Sequence, residues 1–278
     1  MSAEEAGAIV PKTDELDEVE ASRAPLESHL KELRTRLMRA MIAVALCAVG
    51  GFFISEYLLD LLLVPFSEAA MAGGRSAEEV EVIFTSALEV LFIKLRLAVL
   101  VGIAVSFPYV AWEVYSFVAP GLYKNERGAI IPYLVATPFL FAAGLALVYF
   151  IVLPFVMRFA FSQEFAGMAA EVTFLPKANE YVSLALRLLT AFGMAFQLPI
   201  VLSLLAQAGI VSSAGLRSGR KYAIVGIFAM AMLMTPPDPF SQTALALPVY
   251  LLFEAGVIAA WLIERGRKKR EAEAAAEP

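Results

Sequence analysis

Apolar residues run almost unbroken through six stretches of this chain, roughly Met38–Leu59, Leu88–Tyr109, Pro132–Leu153, Leu184–Leu205, Tyr222–Met234 and Thr243–Ile263, with polar residues gathered between them. Each run is apolar on every side rather than on one helical stripe, the pattern of a helix surrounded by lipid. Crossing a bilayer takes about 20 such residues. The fold class expected is therefore an all-α integral membrane protein of six transmembrane helices, with spans five and six short. The fifth would rise only about 20 Å at 1.5 Å per residue, so the bilayer thins around it or its neighbours do the spanning. Prolines 108, 138, 199 and 248 fall in or near spans two, three, four and six. Each removes a backbone hydrogen bond and permits a kink, so the helices are expected to form a concave wall rather than a straight bundle.

A different pattern precedes the first span. Leu26, Leu30, Leu33, Leu37 and Met41 recur at helical spacing, which marks an amphipathic helix. Glu32 lies off that stripe, four residues before Arg36, where an i,i+4 ion pair is the plain structural reading. Of the outer connections, about Val64–Ala87 carries Gly73-Gly74 and several glutamates, about Pro154–Ser183 carries Phe155, Phe159, Phe161 and Phe165, and Thr235-Pro-Pro-Asp-Pro-Phe240 reads as a rigid turn. The aromatic density of the second predicts packing against span ends or the bilayer interface.

Composition agrees with the pattern: 60% of residues are hydrophobic, 18% are charged and the mean hydropathy is +0.73. Lys and Arg add an orientation. Arg23, Lys31, Arg34, Arg36 and Arg39 precede span one; Lys124 and Arg127 follow span two; Arg217, Arg220 and Lys221 follow span four; Arg265 to Arg270 follow span six. All these segments share one side, which the positive-inside rule makes cytoplasmic, so both termini are expected inside. The first run starts far into the chain and no small-residue cleavage site follows it, so it reads as a retained span. No internal repeat is apparent, and residues 25–264 read as one domain between a disordered tail at 1–24 and a basic, then acidic, tail at 265–278. The net charge of −5 comes largely from those tails.

Polar groups at membrane depth need partners, because an unpaired buried amide costs roughly 2–7 kcal/mol. Glu89 and Arg96 share a face of span two and, with Lys94 and Arg187, read as snorkelling or paired groups near the interface. Gln197, deep in span four, either caps the carbonyl freed by Pro199 or meets a partner; Glu254 in span six must face inward, protonated or paired. The single cysteine, Cys47, reads as a small buried residue, and the single histidine, His29, excludes a two-histidine metal motif. Phosphate-binding glycine loops and nucleophile elbows are absent from the sequence. The chain therefore does not read as an enzyme, and no cofactor, metal or nucleic acid is expected.

Four ordered motifs remain: His29-Leu-Lys-Glu-Leu-Arg-Thr-Arg-Leu37 before span one, Phe117-Val-Ala-Pro-Gly-Leu-Tyr-Lys-Asn-Glu-Arg127 after span two, Phe192-Gly-Met-Ala-Phe-Gln-Leu-Pro199 in span four, and Thr235-Pro-Pro-Asp-Pro-Phe-Ser-Gln242 in the outer turn. Over roughly Pro25 to Trp261 the chain resembles TatC, the multispanning receptor of the twin-arginine protein translocase. That resemblance implies that Glu32 and Glu126 recognise the paired arginines of an export signal, a role suited to the bidentate fit of guanidinium to carboxylate, with Phe117 and Tyr123 shaping the same surface. It implies that the concave face receives the signal's hydrophobic part. TatA/TatB-type single-span proteins would pack beside spans five and six, copies would self-associate in a larger complex, and the proton motive force would supply energy. Gln197, Asp238 and Gln242 match positions tied to function or partner contact; Gln197 departs from the family pattern, which has glutamate there. Glu254 joins them as an intramembrane polar contact. The location implied is the inner membrane. The rival from another class is a proton-coupled secondary transporter of a small solute, using Glu254, Gln197, Arg187 and the Glu89/Arg96 pair.

Overall fold

The computed structural model describes residues 13–73, 83–84, 86, 88–118, 130–162, 177–234 and 239–276, and these are helical nearly throughout. In chain order the helices are α1 (Thr13–Phe53), α2 (Ser55–Ala72), α3 (Glu89–Val118), α4 (Ile130–Leu147), α5 (Leu153–Phe161), α6 (Ala178–Ala195), α7 (Leu198–Gln207), α8 (Ser213–Ser218), α9 (Arg220–Met234) and α10 (Pro239–Ala276), with a π-helical turn, Val148–Val152, joining α4 to α5. Among the described residues the β content is one isolated bridge, between Ile83 and Lys177.

Among the described residues, five helical segments are long and apolar enough to cross a membrane: Leu30–Phe53, Glu89–Phe117, Pro132–Phe161, Ala178–Gln207 and Gln242–Arg270. They match five of the six expected spans. The remaining one is α9, whose 15 residues rise only about 22 Å. Span six is not short, contrary to expectation, because α10 continues through 38 residues. Its end is rich in Ala, Glu and Lys, strong helix formers, and Lys269 pairs with Glu273 one turn on at 3.7 Å. Helix therefore enters both segments expected as disordered tails, from Thr13 at one end and up to Ala276 at the other.

The outer connections also differ from expectation. The first begins within α2, which runs to Ala72, and the third span does not stop at Pro154, because the π-helical turn just before it carries the helix on into α5. Phe155, Phe159 and Phe161 thus sit on a helix. Phe161 lies in the core beside Phe66 of α2, ring centroids 5.4 Å apart, and Tyr181 of α6 closes on the other side of Phe66 at 5.3 Å. Phe165 lies outside the described residues, as does the turn at 235–238.

Pro65 lies inside α2 and cannot donate to the carbonyl of Leu61 one turn back. The hydroxyl of Tyr149, in the π-helical turn, donates to that oxygen instead at 2.9 Å, and the Tyr181 hydroxyl donates to the adjacent Leu62 carbonyl. Tyr149→Phe should leave the Leu61 carbonyl unsatisfied and cost about 1–3 kcal/mol, read as a lower unfolding temperature in detergent. An unchanged temperature would mean that the freed carbonyl finds another donor.

Glycines set how closely the spans approach. A Cβ at Gly102 of α3 would lie 2.7 Å from the Val44 carbonyl oxygen and 2.8 Å from the Ala48 Cβ of α1. One at Gly144 of α4 would lie 2.7 Å from the Phe192 carbonyl oxygen of α6. In lipid, where no hydrophobic force drives helices together, such small-residue contacts supply the packing.

Candidate functional site

The leucine stripe of α1 does not face the protein. Leu30, Leu33, Leu37 and Met41 are all exposed, while Ala40, one turn beyond Arg36 at the flank of the stripe, is buried. A helix beside lipid turns its apolar side outward, so its polar side is the one left to pack on α3. Glu32 and Arg36 lie on that side. Arg36 donates from Nε at 2.9 Å and from Nη2 at 2.7 Å to Glu32 Oε1, which is the i,i+4 pair the spacing suggests.

Arg36 also reaches across to α3, where Nη1 donates to Glu113 Oε2 at 3.1 Å. The other oxygen of Glu113 accepts from the Tyr109 hydroxyl at 2.9 Å. A chain of four groups therefore runs from partly exposed Glu32, with 40% of its side chain open, through Arg36 to buried Glu113, with 7% open. Glu113 is the member of this cluster that sequence reasoning missed. Its cation lies on another helix, so local spacing carries no trace of the pair; a carboxylate in the apolar stretch Val110-Ala-Trp-Glu-Val114 was the available signal. Beside this cluster, Lys31, Arg34, Thr35, Met38, Arg39 and Ile42 line an open groove of about 480 Å³.

Of the other expected site residues, Phe117 is half-buried near the end of α3, on the same helix as Glu113. Glu126, Tyr123 and Asp238 lie outside the described residues. Gln197 sits at the break between α6 and α7. It makes no capping bond there; its Nε2 donates to the Thr137 carbonyl of α4 at 3.2 Å, while its Oε1 is buried without a partner among the described residues. Gln242 Nε2 donates to the Phe228 carbonyl at 3.1 Å, tying α10 to α9. Glu254 accepts from Arg220 Nη2 at 2.7 Å and from the Tyr250 hydroxyl at 2.8 Å. These contacts separate the residues into distinct places: Glu32 and Phe117 at the α1/α3 end, Gln197 mid-span, Gln242 and Glu254 along α10.

The charged groups near the opposite end of α3 are tied into the framework. Glu89 accepts from the backbone N–H of Asn179 at 2.9 Å, at the start of α6, and Arg96 donates to Asn179 Oδ1 and Ser183 Oγ at 2.9 and 2.7 Å. Lys94 pairs with Glu56, and this hydrogen bond holds the Glu56 carboxyl below its ordinary range. Between α3 and α6 an open, mainly apolar groove of about 690 Å³ runs past Arg96, Val99, Ile103, Arg187 and Met194.

With this geometry in place, known proteins supply the context. The family model described as Sec-independent protein translocase protein (TatC) matches residues 28–248. The chain is 37% identical over 250 residues to the Sec-independent protein translocase protein TatC of Magnetococcus marinus, covering 90% of this chain and 89% of that protein. It is 36% identical to the protein of the same name from Escherichia coli K12, covering 89% of this chain and 92% of that one. Among solved structures, a crystal structure of the twin-arginine translocase receptor TatC superposes with a TM-score of 0.74 at 34% identity, over 85% of this chain and 99% of the other.

Proposed function

The chain belongs to the TatC family, and from that premise we propose that it receives twin-arginine export signals at the cytoplasmic face of the inner membrane through Glu32 and Glu126. It is a membrane-embedded subunit of a Sec-independent protein translocase and not an enzyme. The solute-transporter reading is set aside, because the family is named for moving proteins.

The observation that carries the recognition role is the state of Glu32. It stands on the polar side of α1, partly exposed, and already accepts two hydrogen bonds from a guanidinium. A carboxylate placed to hold one arginine is placed to hold another of suitable approach. Phe117, near the end of α3, and Tyr123 complete the surface in this reading.

Six spans with both termini cytoplasmic form one domain over 25–264, flanked by the segments 1–24 and 265–278, with α9 as the short fifth span. The distribution of Lys and Arg supports this orientation. Small single-span partners of the TatA/TatB kind dock against α9 and α10, where Val225, Leu233, Leu247 and Leu251 are exposed apolar residues; Gln197, Asp238, Gln242 and Glu254 serve such contacts within the membrane. Further copies of the chain join a larger complex, and the proton motive force drives export.

The test is complementation. In a bacterium lacking its own TatC, this chain together with TatA and TatB partners from its own source should restore export of a folded reporter bearing a twin-arginine signal. Export independent of the arginine pair, or none despite normal insertion of all partners, would contradict the proposal.

A further inference from the structure

The guanidinium on Glu32 belongs to the protein itself, and that has consequences for any arginine arriving from outside. All three nitrogens of Arg36 are engaged: Nε and Nη2 on Glu32, Nη1 on Glu113. The two carboxylates differ. Glu113 is buried and braced by Tyr109, whereas Glu32 is partly open to solvent. Stripping a buried carboxylate of its cation is far costlier than stripping an exposed one. Arg36 therefore leaves Glu32 more readily than it leaves Glu113.

We propose that Arg36 is a resident stand-in for the signal's arginine: it occupies Glu32 in the unliganded protein and is displaced by the incoming guanidinium, while Glu113 and Tyr109 keep hold of it. This inference rests on Glu32 being the recognition carboxylate. It makes Arg36 a specificity-determining residue and Glu113 a positioning residue. An incoming arginine replaces the forked contacts of Arg36 with equivalent ones, so the exchange is close to even at Glu32 and is decided by the remaining contacts of the ligand. Lysine offers a compact point charge without the planar fork, so its exchange is uphill. The resident arginine thereby raises the threshold against lysine at a site that, if empty, would accept any cation more freely.

The experiment measures binding of a twin-arginine signal peptide and its twin-lysine counterpart to the full detergent-purified chain and to Glu32→Gln, Glu113→Gln, Arg36→Gln and the Arg36→Gln/Glu113→Gln double variant. The double variant removes the buried pair as a unit, so no buried charge is stranded, and the partly exposed Glu32 is left open to the ligand. Relative to the unaltered chain, the double variant should bind the arginine peptide roughly two- to fivefold tighter, the range of a partly exposed ion pair, and gain more for the lysine peptide, so discrimination falls. Glu113→Gln alone should weaken arginine binding, and its effect should vanish once Arg36 is also removed. If the double variant instead binds arginine more weakly with discrimination unchanged, Arg36 merely supports Glu32 and the exchange is overturned. If Glu113→Gln weakens binding equally with and without Arg36, Glu113 meets the ligand directly, which also overturns it. If Glu32→Gln changes nothing, the recognition reading itself fails and the inference falls with it.

Discussion

Gly102→Leu should abolish export while Gly50→Leu leaves it intact. At Gly102 the atoms that a Cβ would strike are the Val44 carbonyl oxygen and the Ala48 backbone nitrogen and Cβ, all within 3 Å, and backbone cannot rotate out of the way. The α1/α3 pair must separate. Overpacking of this kind costs about 1–3 kcal/mol or more, and the displacement is passed along both helices to the Arg36–Glu113 bridge, which depends on their spacing. A Cβ at Gly50 of α1 meets nothing within 4 Å, so the same substitution there adds only an apolar side chain to an open face. Membrane insertion, checked by fractionation, should be unchanged for both. Normal export by Gly102→Leu would show that the receptor surface does not need the close α1/α3 packing.

Glu32→Ala should weaken binding of a twin-arginine signal without affecting insertion. A hydrogen bond to a charged group is worth about 1.5–3 kcal/mol, and partial exposure of Glu32 places the expected loss toward the lower end. About tenfold in affinity follows from 1.4 kcal/mol per decade. Insertion should survive because Glu32 sits at the start of the segment Leu30–Phe53, whose long apolar remainder is untouched. Equilibrium binding in detergent measures this change. Loss of insertion would return Glu32 to a purely structural role as the partner of Arg36.

Hydropathy made the spans legible because lipid imposes one requirement, an apolar helix long enough to cross, and the five long helical spans answer to it. It misplaced what lies at their ends. Pro154 opens a stretch that reads as an outer connection, yet the π-helical turn before it lets α5 continue the third span, and the connection expected from about Val64 begins inside α2, where Tyr149 supplies the donor that Pro65 lacks. The second compensation comes from distant chain. The end of α10 escaped for the opposite reason: charge marked it as a tail, while helix propensity kept it helical. Glu32 was visible as the residue off the leucine stripe. The outward direction of that stripe was not, since sequence periodicity defines a face without saying whether lipid or protein meets it.

The most direct test of the receptor role compares four arms: binding of a twin-arginine signal peptide and its twin-lysine version to the detergent-purified chain, each with and without the Glu32→Ala/Glu126→Ala double change. Binding that prefers arginine in the unaltered chain and disappears in the double variant is the expected result. Equal binding in all four arms, or none in any, would contradict recognition of the arginine pair by these two carboxylates.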